Sequence, residues 1–455
     1  MKSELFGSSG IRGLVNTDLT PTLVAEIGLA VVTFAKAKRV LVARDTRVSG
    51  PTLEDGLVSG LLAGGADVET LGIVPTPVLA YLTKTLGADA GVMITASHNP
   101  PQYNGIKIFG RDGMAYDEED QNRVERIIRG KQLRRVDWQK TGKLMSGEHD
   151  RLYVDMVLEK VKRCRNWRVI VDPGCGATYR LSPVILKELG CRLTVLNAQP
   201  DGFFPARSSE PNAVSLQSLA KIVKELDADV GVAYDGDGDR VAFINENGNF
   251  VDFDRALAAY AAYVAGRRKG SIIVTTVEAS MCVEKMVEAE SGKVVRTKVG
   301  DVYVSEAVKR YGAVFGGEPC GAWIHPMFHY CPDGILSSVL LLKALEDKNE
   351  SLSEFVSRVP QYPTLRENVA CSDRTKYQVV EKVGASIKSL FTKHKQLSTI
   401  DGVRLDLHNG WVLVRASGTE PLIRVTVEGE SLIAAKQIMQ ESLRLVKKLS
   451  GEKPQ

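Results

Sequence analysis

The chain has no apolar run long enough for a membrane span. Its longest runs, near Ile27–Ala35 and Ile335–Leu345, fall well short of the ~20 residues a bilayer requires. It has no marked excess of either charge. The 59 Lys and Arg against 55 Asp and Glu give a formal +4, so neither a nucleic-acid nor a membrane-surface partner is expected. The seven cysteines are odd in number and form no Cys-x-x-Cys. That argues against a disulfide framework or zinc knuckle and suits the reduced thiols of a cytoplasmic enzyme. The first residues, Met1-Lys2-Ser3-Glu4, lead into no apolar core, so no signal peptide is expected. A Walker Gly-x-x-x-x-Gly-Lys-[Ser/Thr] is missing, and Gly174-Cys175-Gly176 lacks the third glycine of a dinucleotide fingerprint. Nucleotide-dependent kinase chemistry is therefore not supported.

What is present is an ordinary globular composition, 44% apolar and 25% charged, which excludes a disordered chain. At 455 residues and roughly 150 residues per domain, three or four domains are expected. Three times a basic residue precedes a β-branched run: Lys38-Arg39-Val40-Leu41-Val42, Arg168-Val169-Ile170-Val171 and Lys269-Gly270-Ser271-Ile272-Ile273-Val274. Such runs read as buried strands. Helical periodicity follows at Pro183–Leu189 and Val283–Glu290, the first with Ser182 as N-cap. Alternating strands and helices predict α/β units with a mostly parallel sheet.

A second echo lies further along each unit. Apolar segments at Gly87–Ile94, Asp227–Tyr234 and Tyr311–Phe315 each run into a polar loop bearing Gly or Pro. In open parallel sheets ligands sit at the carboxyl ends of the strands, so a repeated unit would aim three loops at one site. The last ninety residues differ. Val403–Leu407, an Asn409-Gly410 turn and Trp411–Arg415 predict a hairpin, Leu422–Val427 a further strand, and Leu432–Leu449 a helix. The expected units are 1–150, 151–253, 254–365 and a smaller α+β unit at 366–455.

Asp235-Gly236-Asp237-Gly238-Asp239-Arg240 is the sharpest chemical signal. Three carboxylates alternate with glycines that let the backbone curl, making a hard oxygen site for Mg²⁺ or Ca²⁺. An EF-hand is disfavoured, although Glu246 falls at its twelfth position. Arg240 stands where that loop needs Gly, and Val230–Tyr234 and Val241–Ile244 read as strands. A solvated acidic turn is the plainer alternative. Thr95-Ala96-Ser97-His98-Asn99-Pro100 places Ser97 beside His98, but no Gly-x-Ser-x-Gly elbow exists and Ser97 alone reads as a loop serine. Lys107 is a charge partner or a surface lysine. Arg415-Ala416-Ser417-Gly418-Thr419-Glu420-Pro421, followed by Arg424, suits a phosphate cradle or a polar hairpin loop. Gly317-Glu318-Pro319-Cys320-Gly321 and the Arg12 loop, Phe6–Gly13, are bland alone.

Together, and in this order, these loops resemble the α-D-phosphohexomutase superfamily from end to end. The resemblance implies four domains around a cleft, three of related α/β topology and a last one similar to the TATA-binding-protein-like class. It implies that Ser97 is a phosphoserine carrying the transferable phosphoryl group. Asp235, Asp237 and Asp239, with a Ser97 phosphate oxygen, would ligate one Mg²⁺. His98, Lys107 and Arg240 would surround the reacting phosphate, and Arg12 would be part of the amino-terminal active-site loop. Glu318 would read sugar hydroxyls, and Arg415, Ser417, Gly418, Thr419 and Arg424 would clamp the non-reacting phosphate. A sugar bisphosphate would serve as activator, and a homodimer is compatible with the resemblance.

Arg296-Thr297-Lys298-Val299-Gly300-Asp301-Val302-Tyr303-Val304 and Gly418 resemble phosphoglucosamine mutases, and Gly317–Pro326 resembles their archaeal members. The implied reaction is interconversion of glucosamine 6-phosphate and glucosamine 1-phosphate. Bacterial relatives carry Gly-Glu-x-Ser-Gly-His; here Cys320 replaces Ser and Ala322 replaces His, and His325 is the candidate substitute beside Cys320 in the sugar site. Three alternatives stay open: a phosphomannomutase/phosphoglucomutase, a metal-dependent sugar phosphatase using Ser97 and the aspartates, and a non-catalytic phosphosugar sensor.

Overall fold

The computed structural model describes residues 5–7, 9–162, 164–418 and 420–451. Three of its sheets repeat one four-strand unit. In the first, Asp67–Ile73, Arg39–Arg44, Ala90–Ile94 and Tyr103–Gly110 lie side by side. In the second the order is Arg192–Val195, Arg168–Asp172, Val230–Tyr234, Val241–Asn245. In the third it is Lys293–Thr297, Ile272–Thr276, Phe315–Gly317, Trp323–Ile324. Each time the first three strands are parallel and the fourth is antiparallel. The internal repeat is thus present in topology, and the expected mostly parallel sheet is there, with one antiparallel strand closing each unit. The reason is connection length. The loops into the fourth strand are far shorter than the dozen or more residues that a parallel crossover needs, so the chain returns as a hairpin. Every residue of Ala90–Ile94 and Val230–Tyr234 is buried, which accounts for their unbroken apolar sequence.

The helix after Arg168–Asp172 spans Leu181–Glu188 and starts at Arg180 without a side-chain cap. Ser182 lies inside its first turn, not at the N-cap, because its hydroxyl is committed to the buried Tyr234 hydroxyl at 2.8 Å. The apolar run near Ile335 is the helix Gly334–Lys348, capped by Asp333 and buried along most of its length between units.

The last unit is a five-stranded antiparallel sheet in the order Thr364–Ala370, Leu422–Gly429, Gly410–Ala416, Val403–Leu407, His394–Ser398. The predicted hairpin, third strand and final helix, Leu432–Ser450, are all there. The outer strands were not anticipated, since neither shows the apolar alternation of a half-buried strand. One face packs on helices Lys376–Leu390 and Leu432–Ser450. The other places Trp411 and Leu413 against Val277 of the third sheet's unit. Among the described residues no helix is long and apolar enough to cross a membrane, and all seven cysteines are free thiols.

Candidate active site

The three repeated units bring their strand-end loops together. Asp235, Asp237 and Asp239 sit between Val230–Tyr234 and Val241–Asn245, with ligand atoms within 4.8 Å of one another. Two glycines make this possible. Gly238 adopts φ +76°, and a Cβ at Gly236 would lie 2.5 Å from the Ser97 carbonyl oxygen. Ser97 Oγ donates to Asp235 Oδ2 at 2.6 Å. Lys107 Nζ donates to Asp237 Oδ2 at 2.8 Å and Asp239 Oδ2 at 2.6 Å. Thr76, at the start of helix Thr76–Thr85, adds a hydroxyl bond to Asp237 Oδ2 at 2.6 Å.

Oδ1 of Asp237 and Oδ1 of Asp239 are buried without a hydrogen-bond partner. Orphaned carboxylate oxygens are costly, and here they converge with a third carboxylate. Burial and repulsion from Asp239 and Asp237 push Asp235 well above the usual carboxylate range. Burial opposes the charge of Asp237 too, but Lys107 holds it below that range. The triad can hold a metal ion: its all-oxygen donor set and its two unpartnered carboxylate oxygens fit a hard divalent cation.

Around it lie cations. Burial alone would strip the charge from Lys107, but Asp237 and Asp239 override it and hold the ammonium protonated. Arg240 stays charged beside Cys320, Asp239, Asp235 and Glu318. Arg12 donates to Asn99 Oδ1 at 2.8 Å, and its Nε is buried without a partner. His98 Nδ1 lies 3.2 Å from Ser97 Oγ. Burial, with Arg240 and Arg12 nearby, pushes His98 down to about 2, so it is a neutral imidazole at working pH.

Glu318 lies in the loop between Phe315–Gly317 and Trp323–Ile324. Its Oε2 accepts the Gly300 N–H at 3.0 Å. Residues 240 and 322 pair as a bridge, joining this loop to the aspartate loop. Burial and then Asp301 push Glu318 up to about 7. Burial likewise pushes the Cys320 thiol up to about 12, so it is un-ionised beside Arg240. His325 does not join the site, which corrects the sugar-reading role expected for it. Its Nε2 pairs with Ser337 Oγ at 2.9 Å, its ring packs on Tyr260 and Phe315, and burial pushes it down to about 3.

At the far side, Arg415 and Arg424 are cross-strand partners and line a cavity of about 130 Å³ with Arg366, Glu278, Leu413 and Thr426. Arg415 is paired with Glu278 and, at 2.8 Å, with Asp401. Arg424 is paired with Glu420 at 2.8 Å. Ser417 is buried and accepts the Glu420 N–H at 3.1 Å. Gly418 is exposed, with open space where a Cβ would stand. Thr419 lies outside the described residues.

Sequence reasoning missed Thr76, Glu278, Asp401 and Asp301. Thr76, Glu278 and Asp401 are isolated polar residues in sequence; Asp301 lay within the Arg296–Val304 segment but was given no role there. Asp301 accepts from Ser9 Oγ at 2.6 Å, tying the amino-terminal loop to the third unit.

Comparison with known proteins shows what the whole chain resembles. Residues 3–135, 151–248, 252–362 and 367–445 match the phosphoglucomutase/phosphomannomutase profiles described as alpha/beta/alpha domain I, domain II, domain III and C-terminal domain. A probable phosphoglucosamine mutase of Pyrococcus abyssi is 42% identical, over 98% of each chain. One of Methanothermobacter thermautotrophicus is 43% identical, over 99% of each. A solved phosphoglucomutase/phosphomannomutase family protein of Burkholderia thailandensis superposes with TM-score 0.89 at 28% identity, covering 99% of this chain and 98% of that one.

Proposed function

Since the chain belongs to the phosphoglucomutase/phosphomannomutase family, we propose that it interconverts glucosamine 6-phosphate and glucosamine 1-phosphate through a phosphorylated Ser97 and a bisphosphate intermediate. The observation that carries this reading is Ser97 Oγ, 2.6 Å from a buried aspartate triad with two unpartnered oxygens. The relatives named probable phosphoglucosamine mutase support the sugar.

Each proposed unit contributes one loop: 1–150 the Ser97 loop, 151–253 the aspartate loop, 254–365 the Glu318 loop, and 366–455 the Arg415 loop. Asp235, Asp237 and Asp239, with a Ser97 phosphate oxygen, would hold Mg²⁺. When bound, the ion supplies charge neutralisation at the transferring phosphoryl group. Phosphoryl transfer needs positioning and electrostatics more than covalent chemistry. Lys107, Arg12 and Arg240 supply fixed positive charge for it. The bond from phosphorus to Ser97 Oγ breaks as one forms to a sugar hydroxyl oxygen, and the proton that hydroxyl gives up is balanced by the one the departing Ser97 oxygen takes. The bisphosphate then turns over in the cleft and returns its other phosphoryl group to Ser97. Arg415, Ser417, Gly418, Thr419 and Arg424 grip whichever phosphate is not reacting.

The test is phosphorus NMR of phosphorylated enzyme with Mg²⁺ and a trace of sugar bisphosphate, supplied separately with glucosamine, mannose and glucose 6-phosphates. Preferential conversion of the glucosamine phosphate is expected. Preference for mannose or glucose phosphate would keep the mechanism and overturn the sugar.

Three variants probe the sugar and clamp loops. Glu318 is protonated below about pH 7 and an anion above it, so acceptance of sugar hydroxyl protons strengthens as pH rises through that value. A plot of kcat/KM against pH should show this rising limb, and Glu318→Gln should remove it while lowering the plateau roughly tenfold. An unchanged limb in the variant assigns it elsewhere. In the ligand-free protein Glu278 competes with phosphate for Arg415. Glu278→Gln should tighten glucose 6-phosphate binding by calorimetry several-fold, about 1 kcal/mol for a partly exposed pair. Arg415→Ala should weaken the 6-phosphate and 1-phosphate alike, about a hundredfold.

A further inference from the structure

Arg47 has no exposed surface, and none of the loop motifs includes it. We propose that Arg47 is the positioning residue that sets the shape of the Ser97 loop and hence the aim of Ser97 Oγ, an inference that rests on the reading of Ser97 as phosphoryl carrier.

A guanidinium has five N–H donors, and Arg47 places all five. Nη1 donates to the carbonyls of Pro100 at 2.7 Å and Tyr103 at 2.8 Å. Nη2 donates to the carbonyls of Ser97 at 2.9 Å and Asn99 at 2.6 Å. Nε donates to Asp45 Oδ2 at 3.0 Å. The same carboxylate oxygen accepts the Thr95 hydroxyl at 2.6 Å, and Thr95 Oγ1 accepts the Ser97 N–H at 2.8 Å. Both ends of Ser97 are therefore anchored to one network, its carbonyl directly and its N–H through Asp45 and Thr95.

Ser97 needs that anchoring. It sits at φ +52°, a left-handed conformation that is unfavourable for a side-chain-bearing residue and is held by its surroundings. The second unit closes the frame. Ser209 Oγ donates to the His98 carbonyl at 2.8 Å and the Asn99 carbonyl at 3.0 Å. The Phe204 ring centroid lies 5.2 Å from the Arg47 guanidinium. Four successive carbonyls, residues 97 to 100, thus accept side-chain donors. This loop takes its shape largely from outside itself, and Arg47 supplies most of the contacts. The role is through the backbone, since Ser97 Oγ itself faces Asp235 and His98. Lysine keeps the charge but has a single nitrogen with three donors and no planar fork, so it cannot reproduce four carbonyl bonds.

The experiment compares full-length wild type, Arg47→Lys and Thr95→Val. Three quantities are read: the single-turnover rate of Ser97 phosphorylation from glucose 1,6-bisphosphate with Mg²⁺, the calorimetric affinity for glucose 6-phosphate, and amide hydrogen exchange across residues 95–104. In Arg47→Lys the transfer rate should fall about a hundredfold, the cost of a misplacement near 1 Å, with affinity unchanged within about threefold. Exchange at 97–103 should quicken about tenfold or more while helix Gly50–Ala63 keeps its protection. Thr95→Val removes the anchor on the Ser97 N–H together with the hydroxyl bond to Asp45, leaves the Arg47 carbonyl bonds in place, and should lose part of the rate; it decides the matter where Arg47→Lys does not fold. Transfer and exchange at wild-type values in a folded variant overturn the proposal, as does an equal loss of transfer and affinity. A wild-type protein that takes no phosphoryl group at Ser97 overturns the proposed function instead, and the exchange comparison still decides what Arg47 does to the loop.

Discussion

Ser97→Ala is expected to abolish interconversion of the phosphosugar isomers, a loss of at least about four orders of magnitude, because the proposed phosphoryl carrier is gone. Binding should survive. Arg415 and Arg424, proposed to grip the non-reacting phosphate, lie on a separate sheet, with Ser417 in the loop between their strands, so glucose 6-phosphate affinity should stay within about twofold. The fold should survive as well, since the substitution removes one hydroxyl that donates only to Asp235 and contacts His98. Parallel kinetics and calorimetry on one preparation separate the two effects. A variant that still interconverts isomers would remove Ser97 from the mechanism. Equal loss of binding and turnover would place Ser97 in substrate recognition instead.

Asp237→Asn is expected to lower turnover roughly a thousandfold at saturating Mg²⁺. The substitution keeps the shape of the side chain and removes its charge. Three consequences combine at this residue. One of the two unpartnered triad oxygens loses its negative charge. Lys107 loses one of its two carboxylate partners, and the acceptor of Thr76 is altered. A ligand that binds only the folded state raises its stability. Wild type should therefore gain thermal midpoint on addition of Mg²⁺, and Asp237→Asn should gain little or nothing. Full activity with an undiminished Mg²⁺ response in the variant would remove the metal assignment.

The parts of the site that were legible in the sequence are those where chemistry is concentrated in a few consecutive residues. Asp235, Asp237 and Asp239 announce themselves because charges at alternate positions repel unless something gathers them. The glycines between them proved necessary for one positive φ and one close backbone approach. Buried strands such as Val230–Tyr234 were legible because continuous apolar runs ending in turn residues have few other uses. The hairpin around Asn409-Gly410 was legible because that dipeptide suits a tight turn.

Less legible were interactions that join distant residues through single polar side chains. Arg47, Thr76, Glu278 and Asp401 each act across long sequence separations, and nothing in their local sequence marks them. His325 shows the opposite failure. A histidine near a functional loop reads as a candidate, but its apolar surroundings, Tyr260 and Phe315, come from other strands and helices. Ser182 misled for a similar reason: a hydroxyl at a helix start usually caps, and here the buried Tyr234 claims it.

The central claim is that Ser97 passes its phosphoryl group to a sugar and takes one back. The most direct measurement loads the enzyme with ³²P from labelled glucose 1,6-bisphosphate, confirms the label on Ser97 by peptide mapping, and adds unlabelled glucosamine 6-phosphate with Mg²⁺. The account predicts that the label leaves Ser97 and appears in phosphosugar, while Ser97 remains phosphorylated with unlabelled phosphate. Release of the label as inorganic phosphate without isomer formation, or its retention on Ser97, would contradict it.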